Sequence, residues 1–295
     1  MQVMIYQYVT GLLRQIPLGG LGLIVVAWGL MGLGPADAQV SPAPPPDPLA
    51  EARDLYNRGR YEAAIDAARR AVEVAPSRHA ALVVLGRAGL ERFRQTADPA
   101  DLAAAREALR QVDASRLEAR DRLELVIGLG EALYLDDLYL PAADLLESAL
   151  DEAPILGPSA RDQLLDWWAS ALDRHAQARP PADRPPLYAR IAARMAEELE
   201  RDAGTGAAAY WLAVAARATG DLDRAWDLAR SGWVRAQLTR DRGAALRPDL
   251  DRLVTQAIIP ERARRIANPA ADLESIVASM LAEWEAFKEK WINRE

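Results

Sequence analysis

From residue 48 onward the apolar positions recur at intervals of three and four, the period of an α-helix that buries one side. The pattern is clearest over residues 123–154, LELVIGLGEALYLDDLYLPAADLLESALDEAP, which predicts two helices and a tight turn. Leu123, Val126, Ile127, Gly130 and Leu133 share a face of the first helix. Ala142, Leu145, Leu146, Ala149 and Leu150 follow as i, i+3, i+4, i+7, i+8 on the second. Pro141 suits a first helical turn, where its missing N–H has no partner to lose, and Pro154 ends the helix. Gly130 inside a helix costs roughly 1 kcal/mol against Ala. The return is close approach, because Gly130, Ala142 and Ala149 hold two backbones barely apart.

The same two-helix unit is read elsewhere. Asp47 caps and Pro48 begins a first helix with Ala52 and Leu55 inward. Gly59-Arg60-Tyr61 turns, Ala64, Ala68 and Ala71 line the second helix, and Pro76 closes it, with Tyr61 packing across the pair. A second unit spans residues 79–113, with Leu82, Gly86 and Gly89 in its first helix, a loop lengthened at Arg94–Ala97, and Asp98-Pro99 opening its second. The pair at 119–154 is the third. A fourth opens with Ser159 and Asp162 as a capping box. A stiff RPPADRPP loop at 179–186 follows, then a helix from Leu187 to Asp202 with Ile191, Met195 and Leu199 inward. A fifth holds Tyr210-Trp211-Leu212, a turn at Thr219–Leu222, and Ala225, Ala229 and Gly232. Beyond residue 245 the pattern fades into one helix, Pro248–Ile266, broken near Pro260. Asn268-Pro269 then opens an amphipathic helix bearing Ile276, Met280, Trp284, Phe287 and Trp291.

The run Val126-x2-Leu129-Gly130-x2-Leu133, then Tyr139, Ala142-x3-Leu146-x2-Ala149 and Pro154, resembles a tetratricopeptide repeat (TPR). The resemblance covers residues 48–238 and is most specific in the first, third and fifth units. It implies an all-α fold of stacked antiparallel helix pairs forming a TPR-like superhelix, an α-solenoid, over residues 48–245. Residues 246–295 then form a C-terminal helical cap over the last apolar face. It also implies protein–protein contact, with a peptide or helix held in the concave groove that the first helices line. The family's motif is structural, so no catalytic or ligand-binding residue carries over.

The N-terminus reads as a secretory signal peptide, residues 1–38. Arg14 precedes the apolar run Leu18–Leu33, and Ala36-Asp37-Ala38 makes an A-x-A site, so cleavage falls between Ala38 and Gln39. A retained segment would instead anchor the chain to a membrane. Residues 39–47 are a proline-rich spacer. Export and the arginine bias, with Lys288 and Lys290 the only lysines, suggest a bacterial envelope protein.

Composition narrows the chemistry. A formal net charge of −7 argues against a nucleic-acid binder, which needs a basic face. Cleavage would remove Arg14 and Asp37 together and leave that charge unchanged. The absence of cysteine excludes disulfides, thiolate metal sites and thiol nucleophiles. His79 and His175 read as surface residues rather than metal ligands. Asp136-Asp137 and Asp162 with Asp166 read as turn and helix-start acids rather than a general acid–base pair. No nucleophile elbow, phosphate loop, dinucleotide fingerprint or H-E-x-x-H is present, and no cofactor or metal is expected. Adjacent Trp167 and Trp168 diverge by about 100° on a helix, so one of them, with Trp211, is a candidate aromatic of the groove. The reading is a non-catalytic adaptor of the cell envelope. The alternatives are a helical glycan enzyme or binder with tryptophan platforms, and an anchored envelope-assembly factor.

Overall fold

The computed structural model describes residues 47–152, 155, 157–267 and 272–291. The signal segment with its Ala38–Gln39 junction, the spacer before Asp47, the stop at Pro154 and the Asn268-Pro269 start lie outside these. The described residues are helical, with no strand among them, and the helices pack in adjacent pairs. They form two compact units divided between Asp113 and Ala114.

In the unit ending at Asp113, α1 (Pro48–Asn57), α2 (Tyr61–Val72), α3 (Arg78–Thr96) and α4 (Pro99–Arg110) pack each on the next, and α1 also meets α3. Asp47 caps α1, its Oδ1 accepting the Leu49 N–H at 3.1 Å. Gly59 takes the left-handed conformation the turn requires, φ 70°. Ala64, Ala68 and Ala71 are wholly buried, and the Tyr61 ring meets that of Tyr56 at 5.7 Å. Arg94–Thr96, expected to lengthen a loop, extend α3 instead. Arg94 pairs with Glu91 at 2.8 Å, and Thr96 Oγ1 donates to the Arg92 carbonyl at 3.0 Å. The loop shrinks to left-handed Ala97 and Asp98, which caps α4 through the Ala100 N–H at 2.9 Å. His79 is half-buried, its Nδ1 accepting the Asp113 N–H at 3.0 Å.

The unit beginning at Ala114 holds the pairs α5 (Ala119–Leu135) with α6 (Tyr139–Glu152), α7 (Pro158–Gln177) with α8 (Pro185–Arg201), and α9 (Gly206–Ala218) with α10 (Leu222–Arg235). Next come α11 (Leu246–Leu253), a π-turn (Val254–Ile258), α12 (Ile259–Ile266) and α13 (Leu273–Trp291). The contacts run in series: α6 packs on α7, α8 on α9 and α10 on α11, and the first helices α5, α7, α9 and α11 touch in that order. Gly130 is where α5 and α6 come closest. A Cβ there would lie 2.8 Å from Leu146 Cδ2, and Ala142 and Ala149 beside it are buried.

The second helices are tied by ion pairs. Glu198 on α8, 2% exposed, accepts from Arg161 at 2.7 and 2.9 Å, Arg194 at 3.1 Å and Arg201 at 3.0 Å. Arg161 also donates to the Leu150 carbonyl, and Arg190 joins α8 to Glu147 and Asp144 of α6.

One expectation here is corrected and another takes a particular form. Ser159 and Asp162 form no capping box, because Pro158 occupies the first turn and Gly157, at φ 89°, is the cap. The break expected near Pro260 takes the form of the π-turn between α11 and α12. The N–H that proline lacks and the bulk of its ring are absorbed by the π-turn just before it, where the Ile259 N–H reaches back to the Val254 carbonyl. At the end of the chain α13 inserts Trp284, wholly buried, between Trp226 and Trp233, at ring distances of 5.7 and 5.4 Å. Its Nε1 donates to Asp251 at 2.8 Å, and Lys288 bonds the same carboxylate oxygen at 2.6 Å.

Candidate functional site

The three tryptophans considered for a groove are core residues. Trp168 has no exposed surface, and Trp167 and Trp211 keep 5% each. The 100° divergence is real, but α7 is covered on two sides. Trp167 meets Tyr134 of α5 edge-on at 4.9 Å, while Trp168 lies beneath Arg190 of α8 at 5.9 Å. Neither ring offers a sugar a stacking face. The tryptophans act instead as spacers that fix how far α5, α7, α8 and α9 stand apart.

A group of half-buried polar side chains lies on the same helices. Asp162, Asp166 and Asp173 recur at i, i+4 and i+11 on α7 and share one stripe. Asp162 Oδ1 accepts the Ala207 N–H, in the first turn of α9, at 3.2 Å. Asp166 Oδ1 accepts from Trp211 Nε1 at 2.8 Å. Asp173 accepts from Tyr188 at 2.7 Å and Gln177 at 2.6 Å. The stripe thus bridges α7 to α9 at one end and to α8 at the other. Next on α9 comes Tyr210, packed edge-on against Trp211 at 5.5 Å, and Arg217, which forks onto Glu261 of α12 at 2.6 and 3.1 Å. On α11 Asp249 sits 3.4 Å from Arg252. Asp162, Asp166, Tyr210 and Asp249 are all half-buried.

Two of these carboxylates are held above the ordinary range. Burial, reinforced by Asp166, Asp202 and Asp241, pushes Asp162 up to about 6 despite its backbone hydrogen bond. Burial likewise pushes Asp249 to about 6, against the pull of Arg252. The Tyr210 hydroxyl is raised by burial and then by Asp249, Asp166 and Asp173. Sequence reasoning noticed Asp162 with Asp166 but assigned them to a helix start. Their i, i+4 spacing marked a shared face; that Tyr210 and Asp249 join it from distant segments was not visible in one helix.

Other features carry less. Asp137, in the left-handed turn before α6, accepts from the Tyr139 hydroxyl. His175 is half-buried near the end of α7, and among the described residues no three potential metal ligands come together. A recess of about 100 Å³ on α5 and α6, lined by Arg122, Leu123, Val126, Ser148, Ala149 and Glu152, is well below the usual size of a small-molecule site. No described helix is long and apolar enough to cross a membrane. Compared with models of known families, with curated proteins and with solved structures, the chain matches none.

Proposed function

We propose that the helix pairs are TPR-like repeats and that the chain is a non-catalytic adaptor of a bacterial cell envelope, taking a peptide or helix of another protein. One observation carries this reading: in the unit from Ala114 the first helices touch in series, and α7, α9 and α11 carry half-buried Asp162, Asp166, Tyr210 and Asp249 in a region where Trp167, Trp168 and Trp211 are buried. Rigid elements in such a series suit an extended partner better than a small molecule. Export by the N-terminal segment is a separate proposal.

Site-specific photocrosslinking tests it. A photoreactive residue placed at Tyr210, on the first-helix face, is expected to give a discrete protein adduct in cells. The same residue at exposed Asp227, on α10, is expected to give none. Equal labelling from both positions, or none from Tyr210, would remove the adaptor reading.

A further inference from the structure

We infer that the loop after α10 and the end of α13 together form a docking surface for an anionic lipid bilayer. This surface is separate from the residues on which the adaptor reading rests.

The loop is built to hold one shape. Asp241 Oδ1 accepts from Thr239 Oγ1 at 2.7 Å and from the Gly243 N–H at 3.1 Å, while its Oδ2 accepts the Ala245 N–H at 2.8 Å. A Cβ on Gly243 would lie 2.7 Å from Ala236 Cβ, and one on Gly204 would lie 2.7 Å from the Leu238 carbonyl oxygen. The loop is therefore pressed against the end of α10 on one side and the turn before α9 on the other. On this support stands Leu238, 62% exposed, more than any other large apolar side chain described. Gln237 Nε2 donates to the Trp291 carbonyl at 3.3 Å, which brings the 44% exposed Trp291 of α13 to the same place. Trp291 in turn meets Phe287 at 6.4 Å, and Phe287 stacks on buried Trp284 at 5.6 Å, so the exposed ring is anchored to the core.

Charge names the occupant. Arg235 ends α10, Arg240 and Arg242 lie in the loop, and Lys290 precedes Trp291. Arg235, Arg242 and Lys290 pair with no carboxylate among the described residues, and Arg240 bonds only Ser159 Oγ, at 2.6 Å. By contrast, Arg161, Arg190, Arg194, Arg217 and Arg262 of the same unit all reach carboxylates. The acids near the loop do not offset its charge. Asp241 is occupied by Thr239 and backbone N–H groups, and Asp202 Oδ1 takes the Gly204 N–H at 2.8 Å. Glu289 lies about 160° from Trp291 around α13. A tryptophan and a leucine set among arginine and lysine suit shallow entry at the headgroup boundary, with the cations on lipid phosphate. Two projecting side chains are small for a stable protein interface. The net charge of −7 does not oppose this, because exposed charges more than about 8 Å away are screened at physiological salt.

The test is sedimentation of the full chain with vesicles of phosphatidylcholine alone and of phosphatidylcholine with one-third phosphatidylglycerol. The chain is expected to bind the anionic vesicles at least about tenfold more tightly than the neutral ones, and to weaken as salt rises. An apolar N-terminal segment would favour neither kind, and every variant carries it, so it cannot produce that difference. Arg242→Gln with Lys290→Gln is expected to weaken binding at least about fivefold, and Leu238→Ser at least about threefold. Arg224→Gln with Arg264→Gln removes equal charge elsewhere on the same unit, and Leu138→Ser removes another exposed leucine. Both are expected to bind like the parent. All these positions are exposed, so parent-like thermal melts are expected and loss of binding is not loss of fold. No binding to the anionic vesicles, equal binding to both kinds, or equal losses in the surface and control variants would overturn the inference. In the first case, a discrete protein adduct from a photoreactive residue at position 238 in cells would assign the surface to a protein instead. The crosslink from position 210 reports on the adaptor reading alone, so the two proposals fail separately.

Discussion

At Gly130 two effects oppose each other. Alanine would gain roughly 1 kcal/mol of helix propensity. Its Cβ, however, would lie 2.8–2.9 Å from Leu146 Cδ2 and Cγ, which are locked in the core. Overpacking of that kind costs about 1–3 kcal/mol, so Gly130→Ala is expected to lower stability by up to about 2 kcal/mol in urea denaturation, and Ala149→Leu by about 1–3 kcal/mol. A parent-like midpoint for both would mean that α5 and α6 do not nest as described. Asp162 gives the opposite sign. Its folded pKa is about 6 against an ordinary 3.8, so the folded chain holds the proton more tightly than the unfolded chain. The resulting stability is fully present below pH 3.8 and is lost as pH rises through about 6. Asp162→Asn is expected to flatten part of that slope and, after allowance for solvent screening, to add about 1 kcal/mol at mildly alkaline pH. Melts across pH check this. Gly130 was legible because a glycine inside an apolar helical pattern has few explanations. The fates of Trp167 and Trp168 were not, because a periodicity shows which face is apolar but not that α7 is covered on two sides.

Between elements, Glu198 is the main polar tie. Glu198→Ala would leave Arg161 and Arg194, both largely buried, without their shared acceptor, at an expected cost of about 3 kcal/mol. Burial alone would raise its pKa, but Arg161, Arg201 and Arg194 outweigh that and hold it below the usual range. Its contribution is therefore present above the ordinary carboxylate pKa and is lost as pH falls through the folded value, opposite to Asp162. Trp284→Ala should cost about 3–5 kcal/mol, because it empties the space between Trp226 and Trp233 and strands Asp251 with Lys288 alone. Both variants are checked by denaturant titration of the full chain. Helix pairs with Asp-Pro starts and glycine turns were readable because each signal is local. The extension of α3 past Arg94 and the π-turn before Pro260 were not, since tertiary packing and ladder geometry decide them. Asp162 was misassigned for the same reason: the N–H it serves is that of Ala207, 45 residues away in sequence.

For the molecule as a whole, export and binding are separate proposals and fail separately. N-terminal sequencing of the protein recovered from the periplasm is expected to begin at Gln39; an intact start at Met1 would favour an anchored form instead. A net charge of −7 suits solubility and argues against nucleic acid as a partner. The most direct test of the central claim is amide hydrogen exchange of the full chain with and without the partner captured at position 210. Slowed exchange confined to α7, α9 and α11 is the result this account requires. Protection that falls instead on α6, α8 and α10, or nowhere in residues 158–253, would contradict it.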